Sequence, residues 1–244
     1  MIDILVTLAA VLLVIGFHEY GHFSCLKKFG VTSPDFSVGI GPKLLSIPHN
    51  GTSYNIRLIP IGGFVSLPEG WEDQVSKWQK IRVMFAGPWT NVITAIPFGI
   101  LLALQAEAFA EYHWALIVAV VVIGTPLLFF FSIPLTIYAV AMVFVSPGGF
   151  VEDSQGVIGA VSEGRAEGST VWEHFLTTVY FFSIGVASFN LLPLSFLDGG
   201  QIYATLLARY ENFLKYWKVG STIALVALIV LINGGDILQA IGWW

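Results

Sequence analysis

The chain has 244 residues, is 56% hydrophobic, carries only 11% charged residues and has a formal net charge of −5. With a mean hydropathy of +0.78, this excludes an ordinary soluble domain and fits a polytopic membrane protein. Neither the acidic balance nor any basic patch interleaved with aromatics points to nucleic acid as a partner.

The first predicted element is an apolar run over residues 4–26. No Lys or Arg precedes it, and Asp3 does, so the basic start of a signal peptide is missing and the run is read as a retained first span. Inside it lies Phe17-His18-Glu19-Tyr20-Gly21-His22-Phe23, which contains His-Glu-x-x-His. On a helix, positions i and i+4 share a face, so His18 and His22 would offer two imidazole nitrogens to one metal, at the spacing of zinc hydrolases. Glu19 would stand beside that metal, placed to take a proton from water. An ionisable group at bilayer depth costs at least about 2.5–3.5 kcal/mol, so three within five residues demand compensation, and a metal supplies it. Two core histidines bonded to backbone carbonyls are the plainer alternative. Cys25 is the only cysteine, which excludes an intrachain disulfide, and it reads as a buried inert thiol rather than a metal ligand.

Residues 34–68 are rich in Pro and Gly, with short β-type runs between them. His49-Asn50-Gly51-Thr52 carries the Asn-Gly signal of a hairpin turn, so a small sheet at the membrane face is predicted. Trp71, Val75, Trp78 and Ile81 then recur at helical spacing, which predicts an interfacial helix over 71–82. Ile237–Trp244 reads as a second interfacial piece.

Further apolar stretches fall at 83–106, 114–146, 172–197 and 217–232. Ten of the eleven basic residues lie in 27–82 or 198–218, and Arg165 alone sits among acidic residues. By the positive-inside rule those two segments are cytoplasmic, and 107–113 and 147–171 face outward. The stretch 114–146 must then cross an even number of times. Gly124-Thr125-Pro126 and Pro134 offer breaks, so a hairpin or re-entrant pair is expected. A single long helix is the alternative, and it would carry the acidic stretch to the other side. The predicted fold class is therefore an all-α polytopic bundle with a small cytoplasmic, membrane-associated β-hairpin, in one domain over 1–244.

A catalytic zinc usually needs a third protein ligand. Asp198 closes the fourth apolar stretch at its cytoplasmic end and is the only carboxylate between Glu173 and Glu211. Pro193 would turn the backbone there, and Gly199 and Gly200 would admit the motif helix. Capping of a following helix is the competing role for Asp198. His49, His113 and His174 read as interfacial, and Asn91 as either helix–helix glue or a substrate contact.

These residues together resemble the site-2 protease family of intramembrane zinc metalloproteases, in its bacterial branch that releases anti-sigma factors. The resemblance rests on Phe17–His22, Val38-Gly39-Ile40-Gly41-Pro42, Ile59–Val65, Ala86-Gly87-Pro88-Trp89-Thr90-Asn91 and Asn190–Gly200, in that order. It implies Zn2+ held by His18, His22 and Asp198, with Glu19 as catalytic base. It further implies an extended substrate segment beside Gly62, Gly63 and Phe64, and substrate contacts from Asn190 and Pro193. The implied partners are a transmembrane protein substrate, of the single-pass anti-sigma-factor kind, and membrane lipid. The implied location is the inner (cytoplasmic) membrane, with the site inside the bilayer toward the cytoplasm. The chain departs from that family in three places. The apolar 114–146 stands where bacterial relatives carry PDZ domains, Ser195 replaces a proline, and Gly159-Ala160 replaces Gly-Pro. A non-catalytic metal-binding scaffold and a metal transporter are the other functions these residues leave open.

Overall fold

A computed structural model describes residues 2–106, 111–145 and 168–240. Helix α1 spans Ile2–Lys28. A hairpin of strands β1 (Asp35–His49) and β2 (Thr52–Val65) follows. Then come α2 (Trp71–Gln74), α3 (Lys77–Gln105), α4 (Trp114–Val145), α5 (Val171–Asn190), α6 (Asp198–Leu206) and α7 (Glu211–Ala240). Among the described residues, three helical segments are long and apolar enough to cross a bilayer: Ile2–Lys28, Lys77–Gln105 and Trp114–Ala141.

Side-chain contacts fix the direction of each helix. His174 at the start of α5 meets Thr7 near the start of α1, with Nε2 2.9 Å from Oγ1. Asp198, just beyond the end of α5, meets His18 and His22. So α1 and α5 run in the same sense. Helix α3 runs against α1, because Val83 touches His22 while Asn91, two turns later, touches His18. Apolar clusters close the spaces between them. Ala10 and Val14 pack on Val179, and Val92, Ala95 and Phe129 pack on Tyr180, Ile184 and Ala187.

The predicted turn is present. Asn50 (φ 48°) and Gly51 (φ 80°) both take the left-handed conformation, so a two-residue turn joins β1 to β2. The outer arm pairs Lys43 through His49 with Arg57 through Thr52. The inner part of β1 has partners on both edges, Ser53–Ile56 and Gly63–Val65. Asp35 ties these segments together: Oδ1 accepts from Ser37 and Asn55, and Oδ2 pairs with Lys43 at 2.9 Å. Burial pushes the Asp35 carboxyl up, but the hydrogen bonds from Ser37, Lys43 and Asn55 and the Lys43 charge outweigh it and hold it below the usual carboxylate range.

Four predicted features change. The stretch 114–146 is one continuous helix to Val145, about 48 Å long, rather than a hairpin or re-entrant pair. Pro126 and Pro134 are carried inside it. The Ser132 and Thr136 hydroxyls donate to the carbonyls of Phe129 and Ser132 around the second proline, and α3 and α5 support its flank. It runs parallel to α5, since Thr125 meets Tyr180 (3.3 Å) and Ser132 meets Ser188 about two turns on in both helices. Such bonds between helices contribute about 0.6 kcal/mol each in membrane proteins.

The interfacial helix over 71–82 is instead two pieces, because Ser76 and Gln79 form a capping box that starts α3 afresh at Lys77. Trp71 is buried rather than an interfacial anchor, whereas Trp78 is exposed. The fourth stretch ends as helix at Asn190, with a turn from 191 to 197. Gly199 and Gly200 face that turn and not the motif helix: a Cβ on either would strike the carbonyls of Leu191 or Leu194. Most of 147–171, including Arg165 and Gly159-Ala160, lies outside the described residues, as do 241–244.

The lowered Asp35 carboxyl makes the hairpin acid-sensitive. Its stabilisation is fully present above the ordinary carboxylate range and is lost as pH falls through the depressed value. Hydrogen-exchange protection of the Ser53–Arg57 amides should fall as the solution is acidified below the ordinary carboxylate range. The Asp35→Asn variant should show low protection throughout.

Candidate metal centre

His18 and His22 lie one turn apart on the buried face of α1. Their rings meet edge to face at 78°, and the two Nε2 atoms are 3.2 Å apart. The Oδ2 atom of Asp198 lies 3.1 Å from one Nε2 and 3.2 Å from the other. The three atoms thus form a nearly equilateral triangle. That Oδ2 is buried and has no hydrogen-bond donor.

The tautomer of His22 follows from its other nitrogen. Nδ1 lies 2.7 Å from the Val83 carbonyl oxygen, to which it donates its proton. The Nε2 of a neutral ring then carries a lone pair, aimed at the Asp198 carboxylate. Crowded lone-pair atoms repel unless a cation sits among them. Tetrahedral zinc with bonds of about 2.0–2.1 Å sets neighbouring ligand atoms about 3.3 Å apart. The observed triangle is within about 0.2 Å of that, so these residues fit a tetrahedral metal with one position left open.

Asp198 reaches the centre as the first residue of α6, whose N-cap is Leu197. The capping position is therefore held by Leu197, so the capping role is not the one Asp198 plays here. The turn that delivers it is held from outside by Trp217, whose indole N–H donates to the Pro193 carbonyl at 3.1 Å.

Beside the triangle opens a cavity of about 350 Å³. Glu19, Gly63, Phe64 and Asn190 line it together with the three donors. Gly63 comes so close to α1 that a Cβ there would lie 2.8 Å from the Glu19 Cγ. Two other residues predicted to contact substrate, Gly62 and Pro193, do not line the cavity. Gly62 takes φ +78° in β2, and Pro193 is exposed and serves through its carbonyl. Asn190 lies at the cavity with its amide nitrogen donating to the Val186 carbonyl of its own helix (3.0 Å). Cys25 packs beside the Leu26 cluster, and His49, His113 and His174 stand away from the centre.

One group of residues escapes a reading of the sequence. Val83, Gly87 and Asn91 recur every four residues on α3 and together back the two imidazoles. Val83 acts through a backbone carbonyl, which leaves no mark in a sequence. Gly87 acts by having no side chain: a Cβ would collide with the His22 Nε2 and approach the His18 Cε1 at 2.9 Å. Asn91, fully buried, touches the His18 Nδ1 at 3.2 Å. The sequence does show Gly87 and Asn91 within the Ala86–Asn91 resemblance motif, and Asn91 as a polar residue in an apolar span, but not that they brace the imidazoles.

The geometry brings two histidines and one carboxylate together beside a glutamate, as a group that could hold a metal ion. The chain belongs to peptidase family M50, whose model matches residues 6–233. It is 34% identical over 108 residues to a candidate zinc metalloprotease of Campylobacter jejuni, a match covering 38% of this chain and 29% of that protein. A namesake from Clostridium perfringens is 37% identical over 110 residues, covering 41% and 32%. One from Staphylococcus aureus strain N315 is 45% identical over 67 residues, covering 26% and 16%. The matched stretch spans at most about a third of these relatives' own length.

The packing at Gly87 predicts an asymmetric response to alanine. Gly87→Ala should destabilise the protein by about 1–3 kcal/mol through overpacking against the imidazoles. Gly124→Ala, with open space around its Cβ position, should be neutral or slightly stabilising, since alanine favours helix over glycine by up to about 1 kcal/mol. Thermal unfolding in detergent measures both.

Proposed function

We propose that this protein is a zinc endopeptidase that cleaves a peptide bond within the transmembrane segment of a membrane-protein substrate. The observation that carries the reading is the convergence of His18, His22 and Asp198 on one point from elements far apart in the chain. His18 Nε2, His22 Nε2 and Asp198 Oδ2 would hold Zn2+, the ion in the names of the relatives. When bound, zinc supplies Lewis-acid chemistry, lowering the pKa of water toward about 7 and polarising a carbonyl.

This chain's residues supply the rest. Glu19 borders the same cavity and is the base that takes the proton of the attacking water and returns it to the leaving amine. A transmembrane helix hides its peptide bonds in its own hydrogen bonds, so a substrate must be unwound and held extended before attack. The Gly63–Val65 part of β2 pairs with Phe36–Val38 on one side and borders the cavity. It can accept an extended segment by strand addition, with main-chain bonds replacing those the substrate helix gives up. The Asn190 amide, which also lines the cavity, provides a polar group for the substrate backbone. Phe64 and Phe196 offer exposed apolar surface for its side chains.

Lys27 and Lys28 close α1 five and six residues after His22. This supports a site within the bilayer toward the cytoplasmic face of the inner membrane, with the chain crossing several times. The substrate would be a single-pass membrane protein of the anti-sigma-factor kind.

Glu19→Gln should lower cleavage of a transmembrane peptide in proteoliposomes by about 10²–10⁴-fold, while elemental analysis finds zinc still bound. His22→Ala and Asp198→Ala should lose both zinc and cleavage. Full turnover by Glu19→Gln would remove Glu19 from the role of base. Zinc-loaded wild-type protein that cuts no transmembrane peptide would favour a scaffold, and zinc uptake into the vesicles would favour a transporter.

A further inference from the structure

We infer that Asn91 is a positioning residue for the metal centre: its side-chain oxygen accepts the Nδ1 proton of His18 and so aims the Nε2 lone pair at the position His22 and Asp198 share. The inference rests on the metal reading above.

Two observations carry it. The Asn91 side chain is wholly buried, and its amide touches the His18 Nδ1 at 3.2 Å. Its Oδ1, placed away from that nitrogen, is buried and meets no donor. The contact fixes the partner, and the proton of His18 fixes which end of the amide faces it. A neutral histidine that binds a metal through Nε2 carries its proton on Nδ1, and that N–H needs an acceptor. The amide nitrogen cannot accept; the oxygen can. The two ends of an asparagine amide have nearly the same shape, so turning it by half a rotation keeps the packing. That rotation gives His18 its acceptor and removes the oxygen from a site that offers it no hydrogen bond.

The arrangement then matches on both rings. The Val83 carbonyl takes the Nδ1 proton of His22, and the Asn91 carbonyl oxygen takes that of His18. Both acceptors stand on one face of α3, two turns apart, with Gly87 between them to let the rings in. A backbone oxygen can serve His22 because α3 lies against it there; at His18 a side chain must bridge the remaining gap.

The test is zinc affinity, measured on the full chain in detergent by competition with a chromogenic chelator. Asn91→Leu keeps the volume and removes the acceptor. It should weaken zinc binding by about 10–100-fold, with metal-free thermal unfolding close to wild type. Asn91→Asp restores an acceptor at the same place and should bind zinc at least as tightly as wild type. Wild-type affinity in Asn91→Leu would overturn the inference. So would a loss in Asn91→Asp, since that would mean the ring needs the amide's donor; this arm holds even if the leucine variant does not fold. Wild-type protein that binds no zinc would instead sink the metal reading itself.

Discussion

Three lone-pair atoms held 3.1–3.2 Å apart in a buried pocket are the constraint on which this structure turns. Left alone, such an arrangement is unfavourable. Two imidazole nitrogens and a carboxylate oxygen repel, and burial removes the water that would separate them. A shared cation relieves that repulsion, and the distances suit a small tetrahedral one. The surrounding elements read as what is needed to hold that juxtaposition: α1 supplies two donors, α3 braces them from behind, and the turn after α5 delivers the third.

The bracing by α3 is economical in residues. Antiparallel packing against α1 brings Val83 to His22 and Asn91 to His18, with a glycine between. The glycine is needed because the imidazoles approach the helix axis more closely than any side chain permits. A metal site built this way couples chemistry to helix packing. Anything that moves α3 moves both rings, and a bound ion in turn holds α1 and the α5–α6 turn together. Ions that bind only the folded form stabilise it by mass action, so a bound metal would add to the stability of this packing.

The hairpin adds a second function to the same geometry. Its inner part is anchored by the Asp35 network and by Phe23 packing on Phe36 and Tyr54. That anchorage presses Gly63 against α1 at Glu19, so the strand edge and the candidate base share a wall of the cavity. Helix α4 sits on the far side, joined to α5 by paired hydroxyls, and takes no part in the cavity.

Much of this was legible in the chain. The His18–His22 spacing places two donors on one helix face whatever the surroundings, because a helix repeats every 3.6 residues. Asn50-Gly51 demands a tight hairpin because few other residues accept two positive φ angles in succession. Ser76 and Gln79 also spelled out a helix start, and the periodicity of the tryptophans hid it. What the chain could not express was anything that depends on a partner element. The carbonyl of Val83 is the same atom as every other carbonyl until α1 packs against it. Pro126 and Pro134 read as breaks because proline disrupts an isolated helix, yet neighbouring helices carry them. Local pattern determined which residues could bind a metal; only the antiparallel contact of α1 with α3, and the turn that brings Asp198 back, decided that they meet.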